Sequence, residues 1–257
     1  MNDGVDYQGQ LVLHFRRGYL TQAAGGYNVW RTQSIPRTVP ADQTAIIVCD
    51  MWDKHWSKGA AERTAEMAPY MNEVLTVARR RGVQIIHAPS DTLDFYKDTL
   101  ARHRIRLAPF VPPPEDAQRP VPPLPIDDSD EGSDTGETEP RHVWTRQHAA
   151  IHIDQEKDAI SDNGQEIYNF LHQQGIRQVL IMGVHTNMCI LNRSFGIKQM
   201  VKWGVNIALV RDLTDAMYNP AMPPYVSHNE GTQLVVGYIE KFWCPTIASE
   251  DLLGTSG

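Results

Sequence analysis

Apolar runs and helical patterns alternate about five times along this chain, and that alternation leaves few ways for it to fold. Thr44-Ala-Ile-Ile-Val-Cys-Asp50 is a continuous apolar run closed by an acid, the pattern of a strand covered on both faces. Helical periodicity follows over residues 60–81 and stops at Gly82; residues 83–88 then read as a second strand, halted by Pro89. Residues 149–153 read as a third strand, 163–174 as a helix, 178–182 as a strand, and 189–203 as a helix opened by Cys189. A strand over 205–210, a helix over 227–242 and a short strand over 246–248 complete the series, and residues 10–15 suit one strand of an N-terminal hairpin. The expectation is an α/β protein with a mostly parallel, roughly six-stranded sheet, right-handed crossovers and helices on both faces.

At 257 residues the chain suits a single domain, with its core at about 44–248, an N-terminal extension over 1–40 and an insertion at about 109–140. Nine of the 17 prolines and nine acidic residues fall in that insertion, so neither a core helix nor a core strand runs through it. It reads as a surface segment, either a disordered loop or a lid, and its Asp127–Asp134 run resembles a cation-binding loop only loosely. A net charge of −7 argues against nucleic acid as a partner, and no apolar run reaches the ~20 residues of a membrane span. Residues 1–7 lack the basic start and apolar stretch of a secretory leader, and three cysteines form no disulfide framework. The expected location is the cytoplasm, with export through a leader already removed as the alternative.

In open α/β sheets, ligands sit outside the carboxyl ends of the strands. Asp50 ends the first core strand; His87 and Asp91 flank the end of the second; His185, Thr186 and Cys189 follow the fourth. Sulfur at a helix N-terminus faces unpaired N–H groups that favour thiolate and can hold an oxyanion, although a lone cysteine is as often a small buried apolar residue. A carboxylate at a neighbouring strand end supplies a base. Lys157 and Arg146 are the candidate cations, each with a solvated surface position as the plain alternative.

Asp50 in its apolar run, a basic position, and Gly183-Val-His-Thr-Asn-Met-Cys189 together resemble the isochorismatase-like superfamily of cysteine hydrolases, over roughly residues 44–248. Members include nicotinamidases, N-carbamoylsarcosine amidohydrolases and isochorismatases. The resemblance implies a Rossmann-like three-layer α/β/α sandwich that hydrolyses a small-molecule amide or related C–N bond through a thioester. It implies Cys189 as nucleophile, Asp50 as general base and Lys157, 32 residues before the cysteine, as electrostatic partner. It further implies a cis peptide before Thr186, oxyanion-binding N–H groups at His185 and Cys189, and a homo-oligomer. Trp52, where the family usually has glutamine, would shape the substrate pocket with His55, His87 and Thr186. The Asp-x-His metal pair of nicotinamidases is replaced by His87-Ala-Pro-Ser-Asp91, so neither a metal nor a cofactor is expected, with convergence of His55, His87 and Asp91 on a different metal site as the alternative. The alternatives are a non-covalent isochorismatase-type hydrolase and a non-catalytic binding protein on the same fold.

Overall fold

The computed structural model describes residues 9–254. Eight strands form one sheet in the order β2-β1-β8-β7-β6-β3-β4-β5. The strands are β1 (Gln10–Gln22), β2 (Asn28–Pro40), β3 (Thr44–Cys49), β4 (Gln84–Ala88), β5 (Ala159–Ile160), β6 (Gln178–Val184), β7 (Ile207–Asp215) and β8 (Thr246–Ile247). From β5 through β8 every neighbouring pair is parallel, while β1 runs antiparallel to both β8 and β2. The two strands beyond the six expected come from β2, an exposed edge strand, and from β1 being long enough to join the sheet.

The longer helices are α1 (Lys58–Arg80), α4 (Gly164–Gln173) and α7 (His228–Phe242). Shorter ones are α2 (Leu93–Tyr96), α3 (Leu100–Arg106), α5 (Cys189–Asn192), α6 (Ile197–Lys202) and α8 (Glu250–Leu253). Successive side chains of a strand point to opposite faces, so β3 feeds two cores. Ile46 and Val48 pack with Ala68, Met71 and Leu75 of α1, and Ala45, Ile47 and Cys49 pack on the side of Ile167, Phe170 and Leu171 of α4. Burying a continuous apolar strand from both sides is what the uninterrupted run at 44–49 demanded. Among the described residues, no helix is long and apolar enough to cross a membrane.

Two expected elements take another form. Residues 149–153 are not a strand: His148 N–H donates to Met51 O and Ile151 N–H to His148 O, which turns the chain there. The strand in that position is the two-residue β5, six residues later. The expected helix over 189–203 breaks into α5 and α6, because Arg193 leaves the helical region with ψ 157°. Strand β7 also runs farther than expected, through a register shift against β6 that brings Asp215 beside Val184.

Residues 109–140 are neither a core element nor loose. Ile126 and Ser133 are buried, and the acidic run is committed to protein donors. Asp128 Oδ2 accepts from Asn187 Nδ2 at 2.8 Å, Asp130 Oδ2 accepts from Asn219 at 2.8 Å, and Asp134 takes Nη1 and Nη2 of Arg63 at 2.8 and 3.2 Å. Among the described residues no cluster of metal-ligating side chains forms, so the likeness to a cation loop ends at composition. The segment is a strap across the loops that follow β6 and β7. Gly132 makes its closest approach: at φ 71°, a Cβ there would stand 2.5 Å from the Met217 carbonyl carbon and oxygen. Gly132→Val is therefore expected to lower stability by about 2 kcal/mol, read as an earlier thermal melt; an unchanged melt would show that the strap yields freely.

Candidate active site

Asp50 directly follows strand β3; its side chain is fully buried and its backbone sits at φ 48°, an uncommon conformation for a residue with a side chain. Three groups address its carboxylate. Ser90 N–H donates to Oδ1 at 2.8 Å, Arg193 Nε donates to Oδ2 at 3.1 Å, and the Cys189 thiol lies near enough to act on the same carboxylate electrostatically. Burial raises the pKa of Asp50 above the ordinary carboxylate range, with Arg193, the thiol and Ser90 opposing it.

Cys189 sits at the first turn of α5, beyond β6. Burial and the charge of Asp50 push its thiol well up, while Arg193 and the His185 backbone N–H pull the other way. Burial and the neighbouring carboxylate thus favour the proton staying on sulfur in the resting site. Gly183 permits the approach of the two strand ends: at φ 114°, a Cβ there would meet Cys49 O at 2.0 Å. The Val184–His185 peptide that follows is cis.

The cation of this site is Arg193, and the assignment to Lys157 is corrected. Lys157 is exposed, and its carbonyl accepts from Gln84 Nε2 at the start of β4, the opposite end of the sheet from Asp50. The reason is the displaced strand: Lys157 precedes β5, so it lies at the amino ends of the parallel strands. Arg146 is exposed too, its guanidinium 5.5 Å from the Phe95 ring centroid. Arg193 went unnoticed in the sequence, although its spacing of four from Cys189 is the spacing of one helix face. Its N–H closes the turn on Cys189 O at 3.1 Å, and the side chain then reaches Asp50 and Asp91.

Of the residues assigned to substrate contact, Trp52 and His55 line a cavity of about 40 Å³ beside Asp50, with Val184 and His148. Trp52 donates its Nε1–H to Ser90 O at 3.0 Å and stacks on Trp144, ring centroids 4.2 Å apart. The His55 ring lies 4.9 Å from that of His185, and burial drives both imidazoles down, to about 4 and about 3, so both are neutral at neutral pH. His87 does not reach this wall; it is a buried core histidine between Gln147 Oε1 at 2.9 Å and Asp158 Oδ2 at 3.0 Å. Asp158 stays ionised there: burial raises its pKa, but His87 and Arg79 outweigh that and hold it at about 2. The Thr186 hydroxyl is likewise engaged, paired with the Thr214 hydroxyl at 2.7 Å, and so ties the loop after β6 to β7. Ser90 Oγ, Trp144 Nε1 and His185 Nε2, all in this neighbourhood, are buried without a protein partner among the described residues.

Comparison with curated proteins finds no match. Among solved structures, the chain is similar to a cysteine hydrolase from Pseudomonas syringae pv. phaseolicola 1448A, at 14% identity, covering 84% of this chain and 93% of that one with a TM-score of 0.49. It is similar to an isochorismatase family protein from Burkholderia thailandensis at 14% identity, covering 83% and 97% with a TM-score of 0.46. A third is PnC1 from L. infantum, solved in complex with nicotinate, at 15% identity, covering 83% and 96% with a TM-score of 0.42. The isochorismatase domain model matches residues 44–221, well over half of the chain, and this protein belongs to the isochorismatase family.

Proposed function

We propose that this member of the family is a cysteine hydrolase that cleaves a C–N bond in a small uncharged amide or related compound. The observation that carries the reading is a fully buried Asp50 that accepts from the Arg193 guanidinium and from Ser90 N–H, in a site where its charge and the Cys189 thiol bear on one another. Asp50 takes the thiol proton as sulfur attacks the carbonyl carbon, and the negative charge passes to the carbonyl oxygen. Backbone N–H groups of His185 and Cys189 serve that oxyanion. Protonated Asp50 then gives its proton to the nitrogen, the C–N bond breaks and an amine or ammonia leaves. Water adds to the thioester with Asp50 again as base, releasing a carboxylic acid and restoring the thiol. Arg193 opposes the burial that disfavours the charged carboxylate, so that Asp50 can return to its basic form between proton transfers.

The pocket wall supports an uncharged substrate. His55 and His185 are neutral imidazoles, and Trp52 and Trp144 present aromatic faces. The orphaned Trp144 Nε1–H and His185 Nε2 are the groups expected to meet its polar atoms, since leaving such groups unpaired costs about 1–3 kcal/mol each.

Iodoacetamide alkylation followed by peptide mass mapping tests the reading without knowledge of the substrate. Cys189 is expected to be alkylated at neutral pH, and replacing Asp50 by asparagine is expected to slow it by about tenfold or more. An inert Cys189, or one indifferent to Asp50, would overturn the assignment.

A further inference from the structure

Arg193 is a long side chain only partly covered, 30% exposed, and nothing in its own turn obliges it to lie against a buried carboxylate. The loop after β4 supplies the constraint. Ser90 donates its N–H to Asp50 Oδ1, and the next residue, Asp91, accepts from Arg193 Nη2 at 3.0 Å while Arg193 Nε holds Asp50 Oδ2. Two consecutive residues thus grip the base and its counterion. Asp91 is itself fixed: its backbone lies at φ 64°, and its N–H donates to Asp162 Oδ2 at 2.9 Å.

We propose, on the footing of the hydrolase reading above, that Asp91 is a positioning residue whose carboxylate aims the Arg193 guanidinium at Asp50. It touches neither the sulfur nor the reacting atoms and acts through Arg193 alone. A planar guanidinium offers donors on two edges, so one edge can be anchored by Asp91 while Nε serves Asp50. Lysine, a single point charge, has no second edge to anchor, which ties this device to the presence of arginine at 193.

The other charged or titratable groups near Asp50 do not substitute for it. Cys49 precedes Asp50 and donates its thiol to Val184 O, and Cys189 carries the reacting proton. On the opposite side Asp53, Lys54, His55 and His148 border the small cavity, but Asp53 binds Thr145 and His55 is neutral. Asp91 is half exposed, so its own charge is well screened at Asp50 and the effect transmitted through Arg193 prevails.

The test is the pH profile of Cys189 alkylation by iodoacetamide in wild type, Asp91→Asn, Arg193→Gln and the double variant. Asparagine tolerates positive φ, so Asp91→Asn keeps the local backbone, which an unchanged thermal melt would verify. The acid limb of Asp91→Asn is expected to move to higher pH, slowing alkylation about threefold on that limb and little at alkaline pH. In the Arg193→Gln background the same change is expected to do nothing further. A uniform slowing at every pH, an unmoved limb, or an equal shift in both backgrounds overturns the proposal. Wild-type alkylation that ignores Asp50 overturns the hydrolase reading and this proposal with it; an Asp50-dependent wild type with an unmoved Asp91→Asn limb overturns this proposal alone.

Discussion

Asp50→Asn is expected to lose about a thousandfold in turnover and, at the same time, to melt at a higher temperature than wild type at neutral pH. Loss of activity follows from the chemistry: an amide can neither take the thiol proton nor return one to the leaving nitrogen. The gain in stability follows from burial. Asp50 is fully buried and its pKa is raised, so the folded state disfavours the charged form relative to the unfolded chain. A carboxylate with a raised folded pKa binds more protons folded than unfolded. Its presence therefore weakens the fold at pH above the folded pKa, and the penalty fades as pH falls through that value toward the unfolded one. Asparagine removes the charge, keeps an oxygen for Ser90 N–H, and is well suited to φ 48°. Arg193 retains Asp91 as a partner. Thermal melts across pH and a turnover assay check both halves; a variant that is inactive and also less stable at neutral pH would contradict the electrostatic account of this position.

The legible parts of this chain were those where burial imposes a pattern. Residues 44–49 and 178–182 read as covered strands because both faces of β3 and β6 are packed, and Asp50 and Cys189 followed directly from their strand ends. The misplaced cation has a traceable origin. Residues 149–153, Ala-Ala-Ile-His-Ile, form a short mostly apolar run as a covered strand would, but their backbone bonds close a turn, and β5 is too short to leave a pattern. Once that strand was placed too early, Lys157 passed from the amino end of the sheet to its carboxyl end. Arg193 was hidden for the opposite reason: a helix read as continuous to residue 203 conceals the break that frees its side chain. The strap was invisible because its anchors are long-range pairs, Asp128 with Asn187 and Asp134 with Arg63, which no local window contains. Strand β2, the partner strand of the expected hairpin, could not be located because an exposed edge strand leaves no burial pattern.

Replacing Arg193 with glutamine is expected to cost about a hundredfold in kcat/KM at neutral pH, and to shift the acid limb of the profile upward. Arg193 is the largest of the groups opposing burial at Asp50, and it also lowers the thiol pKa of Cys189. Without it, burial acts unopposed by any cation in contact, so Asp50 stays protonated to higher pH and the base is missing where wild type is already active. The sign is fixed: activity needs ionised Asp50, activity is lost as pH falls through its pKa, and raising that pKa moves the loss to higher pH. Part of the deficit should return at alkaline pH, where Asp50 ionises even without its partner. His55 and His185, which burial holds at about 4 and about 3, are neutral near neutral pH and do not account for a deficit there. Arg193→Lys separates charge from geometry: an ammonium restores attraction but cannot hold Asp50 and Asp91 through two edges of one plane, so its limb should fall between wild type and Arg193→Gln. If Arg193→Gln instead lowered kcat/KM by one factor at every pH, the guanidinium would be packing the loop rather than setting the charge of Asp50, and the site's cation would have to be sought elsewhere.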